Sequence, residues 1–80
     1  MQPTQHRLYR VTLDGDRFYL EMHRRGWKSR ARAAKELEIP EPTLSKVLSG
    51  KVEPSALTID RLVIGLGVSY EVLFRREELS

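Results

Sequence analysis

The 80-residue sequence contains no cysteine, and its two histidines, His6 and His23, are not spaced as a ligand pair. Disulfide bonds and thiolate metal sites are therefore excluded, and we expect neither a metal nor a cofactor. No run approaches the roughly 20 apolar residues of a membrane-spanning helix, and the first residues, MQPTQHRLYR, lack the apolar stretch of a signal peptide. We expect a cytoplasmic protein without membrane contact.

Catalytic motifs are missing as well. The sequence has no glycine-rich phosphate loop, no cysteine nucleophile, and no histidine with a carboxylate at motif spacing. An enzyme is therefore not expected. It also has no internal repeat, low-complexity tract or long linker, and a chain of this length builds only one core. Residues 1–80 are predicted to form a single domain.

Positive charge is concentrated in one part of the chain. The formal net charge is only +3, yet the segment from Met22 to Lys35 holds six basic residues and no acidic one. Such a cluster favours a polyanionic partner, although on charge alone a solvated helix face is an equal alternative. The six residues are Arg24, Arg25, Lys28, Arg30, Arg32 and Lys35.

The first 25 residues allow two interpretations. Alternation in Leu8–Leu13 predicts a strand. We then favour a helix from Asp16 to Arg25, with Asp16 as N-cap and Gly26 as the C-terminal stop. Because Asp14-Gly15 is also a hairpin signal, a β-hairpin over residues 8–22 stays open as the alternative.

The rest of the chain predicts three more helices and a last turn. Ser29 is a good N-cap for Arg30–Leu37, and a helix over residues 41–49 follows with Pro42 in its first turn and ends at Gly50. Pro54-Ser55 opens a fourth helix, which ends at Gly67 and presents an apolar stripe. The last turn contains Tyr70, Leu73 and Phe74. Since an isolated strand is unstable, we expect the N-terminal strand to pair with Leu73–Glu78.

The most specific pattern lies in residues 29–54, which read SRARAAKELEIPEPTLSKVLSGKVEP. This segment resembles the helix-turn-helix of the Cro and phage-repressor type, and the resemblance extends over residues 16–74. The matching positions are Ala34 where the two helices cross, Ile39 in the turn, Thr43-Leu44-Ser45 at the start of the recognition helix, Gly50-Lys51 and Pro54 in the exit loop, and Leu66-Gly67-Val68 at the end of the fourth helix.

The resemblance implies a mainly α fold: a compact, lambda-repressor-like bundle of about five short helices. The alternating residues at the start of the chain add a small two-stranded sheet from the two termini. Within residues 1–80 we therefore expect an N-terminal strand-like arm at 7–13, the helix-turn-helix at 29–50 and a C-terminal tail at 75–80. The predicted function is that of a sequence-specific DNA-binding transcriptional regulator, a repressor or Cro-like protein of a phage or bacterium.

Four positions depart from the family pattern. Pro40 stands where the family has a Ser or Thr cap, so the following helix is expected to begin a residue later or to be capped by water. Glu38 stands at a turn position usually filled by Gly. The positions of an internal Arg–Glu pair correspond to Met22 and Leu48, which we interpret as apolar replacement of a buried ion pair.

The resemblance also assigns site residues. Helix 41–49 enters the major groove, where Lys46 is expected to donate to guanine, Glu41 to accept from cytosine, and Pro42 or Thr43 to pack on a thymine methyl. Glu41 is equally suited to a structural role, in which its negative charge interacts favourably with the positive N-terminus of the helix and not with a base. Phosphate contacts are expected near the N-terminus of the preceding helix and around the recognition helix, from Lys28, Ser29, Arg30, Arg32, Ser45, Ser49 and Lys51. Trp27 beside this run is interpreted as a core residue rather than a stacking platform.

The expected partner is double-stranded DNA, bound by a homodimer on an inverted repeat. The dimer contact is placed at Val68–Phe74, with the edge of the terminal sheet as second choice. Two alternatives stay open: an antitoxin-type DNA-binding protein that also binds a toxin, and a protein-interaction module whose basic face binds an acidic partner.

Overall fold

The computed structural model of the chain describes residues 9–79, which form five helices and two strands. In chain order these are β1 (Tyr9–Leu13), α1 (Gly15–Arg24), α2 (Arg30–Leu37), α3 (Glu41–Leu48), α4 (Ala56–Leu66), α5 (Tyr70–Leu73) and β2 (Phe74–Glu78). The mainly helical fold with a small terminal sheet is therefore confirmed. Residues 7 and 8 of the predicted arm lie outside the described residues.

Asp14 joins β1 to α1. Its side chain accepts a hydrogen bond from the Arg17 backbone N–H at 3.2 Å, which caps the helix, and its own N–H donates to the Leu73 carbonyl at 2.7 Å. The predicted N-cap, Asp16, was therefore wrong, and the helix begins and ends one residue earlier than predicted. The hairpin alternative was also wrong, because Gly15 opens a helix and Gly26 takes the left-handed conformation beyond its end.

An ion pair reinforces this junction. The Arg75 guanidinium donates to the Asp14 carboxylate at 2.7 Å. That hydrogen bond, with the one from the Arg17 N–H, holds the pKa of Asp14 below its ordinary value. The Asp14 carboxylate thus caps α1 and also pairs with Arg75, so it links the start of this helix to the C-terminal strand.

The terminal sheet is antiparallel, and its register runs from Tyr9 opposite Glu78 to Leu13 opposite Phe74. The predicted pairing partner, Leu73–Glu78, was right to within one residue, since Leu73 closes α5 instead. Residues 75–78, assigned from the sequence to a C-terminal tail, lie in β2. The first and last described elements therefore pair, and the sheet packs against the helical core through Leu13 and Phe74.

Within residues 9–79, the helices enclose a core of thirteen buried apolar residues. Phe18, Leu44, Leu62 and Leu73 have no exposed surface. Met22 is buried in this core and Leu48 packs against it, so both positions of the family's ion pair are occupied by apolar packing, as predicted. The remaining core residues are Leu13, Ala33, Ala34, Leu37, Ile39, Val47, Leu66 and Phe74.

Candidate nucleic-acid interface

Two short helices, α2 and α3, form the centre of the candidate interface. The Ser29 hydroxyl accepts from the Arg32 N–H at 3.0 Å, so α2 begins where its predicted N-cap places it. It ends at Leu37, and the following C-cap residue, Glu38, has a left-handed conformation with φ of 60° and ψ of 39°. Ile39 is buried next to this turn, as its match to the family's apolar turn position implies. The turn thus redirects the chain within three residues into α3.

α3 begins at Glu41 in spite of the proline at its N-cap. No side chain caps it, and its first backbone bond runs from the Leu44 N–H to the Pro40 carbonyl at 3.0 Å. The expected later start is not seen, because the Pro40 φ of −56° suits a helix entry and Pro42 has no N–H to satisfy. The helix ends at Leu48, one residue before the predicted end.

α3 has one buried face and one outward face. Leu44 and Val47 are buried in the core, whereas the other side of the helix is open to solvent. Glu41, Pro42, Lys46 and Ser49 are exposed on that side, Ser45 is half-buried between them, and Thr43 is half-buried nearer the core side. All four predicted base-reading residues therefore lie on or beside the outward face of α3. We call this set, Glu41, Pro42, Thr43 and Lys46, the reading face.

The predicted phosphate contacts form two groups. One group stands at the N-terminus of α2, where Lys28, Ser29 and Arg30 are exposed. Arg32 belongs to it but donates to Glu36 at 2.8 Å, so any anion must compete with that carboxylate. The other group is on α3 and just after it: Ser45, Ser49 and Lys51, with the Ser49 hydroxyl donating to the Lys46 carbonyl at 3.1 Å.

Charge at this surface is unevenly neutralised. Of the predicted contact residues within 9–79, Lys28, Arg30, Lys46 and Lys51 are cations that form no ion pair, and we call these four the unpaired cations. Lys35, which lies outside the contact groups, forms none either. Arg24 and Arg25, counted in the basic cluster of the sequence, are paired instead. The potential of the surface therefore depends on fewer charges than the sequence cluster contains.

The pairing residue is Glu21, which sequence reasoning missed. This residue is only 4% exposed, and its carboxylate accepts from the Arg17, Arg24 and Arg25 guanidinium groups at 3.0 to 3.2 Å. The hydrogen bond from Arg25, with the charges of Arg24 and Arg17, lowers the pKa of Glu21. The spacing of three and four residues on one helix was a signal that could have revealed this cluster.

Arg25 extends the cluster to other parts of the fold. Its guanidinium also donates to the Leu66 carbonyl at the end of α4 and lies over the Trp27 ring, 5.8 Å from the ring centroid. Trp27 is half-buried and packs against the core, which confirms its interpretation as a core residue.

The loop after α3 is held by β1. The Arg10 guanidinium donates to the Gly50 carbonyl, and the Val11 N–H donates to the Glu53 carboxylate at 2.7 Å. These bonds connect positions about 40 residues apart, so no local pattern in the sequence signals them. They fix the loop that carries Lys51, and they occupy the outer edge of β1 at Val11.

The described residues offer little for other kinds of site. No group of histidine, aspartate and glutamate side chains within residues 9–79 is arranged to hold a metal ion. In the same residues, no helix has both the length and the apolar character needed to cross a membrane.

Comparison with known proteins gives one family. The model of the Helix-turn-helix family matches residues 24–73, more than half of the chain, and the match contains α2, the turn and α3 entirely. No curated protein and no solved structure matched. With the geometry described above, this match shows that the chain belongs to the helix-turn-helix family of the Cro and phage-repressor type and is a DNA-binding transcription regulator in kind.

Proposed function

We propose that the protein is a sequence-specific regulator of the repressor or Cro-like kind, which reads the DNA major groove with α3 in the cytoplasm. The observation that carries this proposal is the division of α3 into two faces. Leu44 and Val47 anchor the helix in the core, so the reading face is presented on a rigid support. A helix fits the major groove of B-DNA, where each base pair displays its own pattern of donors and acceptors.

Each residue of the reading face has a distinct role in the proposal. Lys46 is exposed and unpaired, and it donates to guanine O6 or N7. Pro42 is exposed and packs on a thymine methyl, with Thr43 contributing the part of its side chain that is open. Glu41 accepts from cytosine N4, and at the first position of α3 its charge also favours the positive helix end.

The phosphate contacts of the proposal come from two sides of the reading face. Lys28, Ser29 and Arg30 contact one stretch of backbone from the start of α2. Ser45, Ser49 and Lys51 contact another from α3 and the loop behind it. Arg32 joins the first group by exchanging Glu36 for a phosphate, which costs little because the ion pair is exposed. These contacts orient the domain and carry no sequence information by themselves.

The experiment is a pair of substitutions measured on a preferred duplex, selected from a random library, and on random DNA. Lys46→Ala should weaken binding to the preferred site by about 1 to 3 kcal/mol and relax the choice of base at one position. Arg32→Ala should weaken both duplexes alike. Lys35→Ala is the matched control, since Lys35 is an exposed lysine of α2 outside both contact groups.

Equal losses on the two duplexes for Lys46→Ala and Arg32→Ala would refute the orientation of α3. A loss for Lys35→Ala as large as that for Arg32→Ala would refute the assignment of the phosphate group.

Dimerisation on DNA is part of the proposal, for an energetic reason. At about 1 to 3 kcal/mol per base pair, three or four contacts from one α3 cannot outcompete the nonspecific sites of a genome. A two-fold pair doubles the readout and requires half-sites roughly 34 Å apart, hence an inverted repeat. Titrating protein onto the selected operator and weighing the complex tests this. A saturated one-to-one complex on a site without an inverted repeat would contradict it.

The apolar surface that Val68–Phe74 leaves open for a second copy is smaller than the sequence predicted. Phe74 is 6% exposed and its ring stacks on Tyr70 with centroids 5.0 Å apart, so it belongs to the core and not to a free surface. Tyr70 and Val72 retain exposed apolar area. They remain the proposed contact between two copies on the operator.

A further inference from the structure

The loop between α3 and α4, residues 49–55, carries two of the proposed phosphate contacts, Ser49 and Lys51. At its start the loop folds back on the last turn of α3. The Lys46 carbonyl accepts from the Ser49 hydroxyl at 3.1 Å and from the Lys51 N–H at 2.9 Å. Gly50, between them, has a left-handed φ of 79°. Because glycine adopts positive and negative φ with similar ease, Gly50 does not by itself fix the direction of the loop.

Strand β1 holds this loop at two further points, one on each side of Lys51. The Arg10 guanidinium donates to the Gly50 carbonyl, and the Val11 N–H donates to the Glu53 carboxylate at 2.7 Å. Gly50 comes directly before Lys51, and Glu53 follows it by two positions. We call these two hydrogen bonds the β1–loop contact.

The strand that supplies the β1–loop contact is itself fixed to the rest of the fold. β1 pairs with β2 along its whole length, Leu13 at its end is buried in the core, and Val11 packs against that core. The Glu77 carboxylate of β2 lies 3.5 Å from the Arg10 Nε atom and helps to orient this arginine. The loop is therefore attached to a packed element and not to another loop.

The two side chains of the β1–loop contact carry opposite charges, and both are half-buried, whereas Lys51 is exposed. Two residues span at most about 7 Å between Cα atoms, so Glu53 lies within the Debye length of about 8 Å from Lys51. If these side chains acted through charge alone, removing the Glu53 carboxylate would strengthen DNA binding. A role through the hydrogen bond predicts the opposite sign.

We propose that Arg10 and Glu53 are positioning residues for DNA binding, which hold the loop so that Ser49 and Lys51 are placed for phosphate before DNA binds. This inference rests on the phosphate contacts of the proposed function. A loop that is ordered beforehand loses little conformational freedom on binding, and such a loss is what otherwise reduces affinity. Strand β1 thereby contributes to DNA affinity although it lies outside the helix-turn-helix.

The first test compares three variants by their affinity for the selected duplex. Glu53→Ala removes the acceptor of the Val11 N–H and should weaken binding about three- to tenfold, because the loop must then be ordered on binding. Glu53→Gln keeps an oxygen acceptor without the charge and should bind at least as tightly as the native protein. Glu78→Ala is the control for charge: it removes an exposed carboxylate of β2 and should not weaken binding.

Three outcomes of this test would overturn the proposal. If Glu53→Ala binds as tightly as the native protein or more tightly, the effect of Glu53 is one of charge. If Glu53→Ala and Glu53→Gln lose affinity equally, the hydrogen bond to Val11 is not the cause. The third is an unchanged salt dependence in Glu53→Ala, since a poorly placed Lys51 should make the slope of log K against log salt shallower by up to about 0.9. Circular dichroism checks that each variant is folded.

The second test is a double-mutant cycle of Arg10→Met and Lys51→Ala. If Arg10 acts by placing Lys51, then Lys51→Ala should cost little affinity once Arg10 has been replaced, and the two losses are not additive. Arg76→Met is the matched control, because it removes an arginine of β2 that lies over the Tyr9 ring, and its effect should add to that of Lys51→Ala. Additive losses for Arg10→Met and Lys51→Ala would refute the positioning role of Arg10.

The single variant Lys51→Ala separates this inference from the proposed function. If Lys51→Ala loses affinity while Glu53→Ala and Arg10→Met do not, the positioning role is refuted and the phosphate contact stands. If Lys51→Ala loses no affinity, the phosphate contact is refuted, and the positioning role with it.

Discussion

Replacing Glu38 by glycine should stabilise the protein, although it removes a side chain from the helix-turn-helix. Glu38 is the only residue besides glycine with a positive φ within residues 9–79, at 60°. The left-handed conformation costs an L-residue about 1 to 2 kcal/mol, which glycine avoids. Glycine also lowers the free energy of unfolding by about 0.4 to 1 kcal/mol, because it increases the conformational entropy of the unfolded chain. The net expectation for Glu38→Gly is a gain of about 0.5 to 1 kcal/mol.

No native contact offsets this gain. The Glu38 side chain is exposed, and the hydrogen bonds at this position belong to the backbone: its N–H donates to Lys35 and its carbonyl accepts from Arg61. Glycine keeps both. For a domain of this size a gain of 1 kcal/mol corresponds to roughly 4 to 8 °C in Tm. Urea unfolding followed by the fluorescence of Trp27, the single tryptophan, measures the change directly.

The control is Glu38→Ala, which removes the same carboxylate but keeps a Cβ in the left-handed conformation. We expect it to change the free energy of unfolding by less than about 0.5 kcal/mol. If alanine stabilises the protein as much as glycine does, the effect is electrostatic and the backbone argument is refuted. A destabilised Glu38→Gly would refute it as well.

Three further predictions concern charge and the terminal sheet. The pKa values of Asp14 and Glu21 are lowered in the folded protein, so their contribution to stability is complete above about pH 4.5 and is lost as the pH falls through the folded-state values. Asp14→Asn and Glu21→Gln should therefore each reduce the dependence of the urea unfolding midpoint on acid pH. An unchanged dependence would contradict this. Deleting residues 1–12 removes most of β1 and should lower Tm, whereas deleting 1–8 removes none of it and serves as control. With Lys28, Arg30, Lys51 and the exchangeable Arg32 on phosphate, log K for DNA should fall against log salt with a slope of about −3 to −4, and a slope near zero would exclude electrostatic binding.

Much of the candidate site was predictable because it is local. The start of α2 follows from the Ser29 cap, and the inward side of α3 follows from Leu44 and Val47, three residues apart on one face. Such features depend on neighbours within one or two helical turns, which the sequence displays directly. The match to a family pattern then gave the role of the outward residues, which spacing alone does not supply.

The terminal sheet was predictable for a different reason. A strand at Tyr9–Leu13 needs a partner, and the C-terminal segment was the only other candidate for it. The register and the exact end of α5 did not follow, because they depend on how Leu73 and Phe74 enter the core.

Contacts across the fold decided what the sequence left open or misjudged. Asp14 rather than Asp16 caps α1 because Asp14 is also fixed by Leu73 and Arg75, both about 60 residues away. Phe74 is buried rather than available for a partner because it pairs with Leu13 of β1, stacks on Tyr70 and packs in the helical core.

The sequence by itself therefore determined the helices and the outward side of α3, since these depend on local propensity and periodicity, and its resemblance to a family pattern gave the fold family. Only the tertiary structure decided which charges are free at the interface. Glu21 gathers three arginines on one helix, and Arg10 and Glu53 fasten β1 to the loop behind α3. The bonds of Arg10 and Glu53 depend on distances that exist only after the chain has folded. The spacing around Glu21 is visible in the sequence, but only the fold shows that this residue is buried against its three arginines. A count of charges along the sequence therefore overestimates those left for DNA.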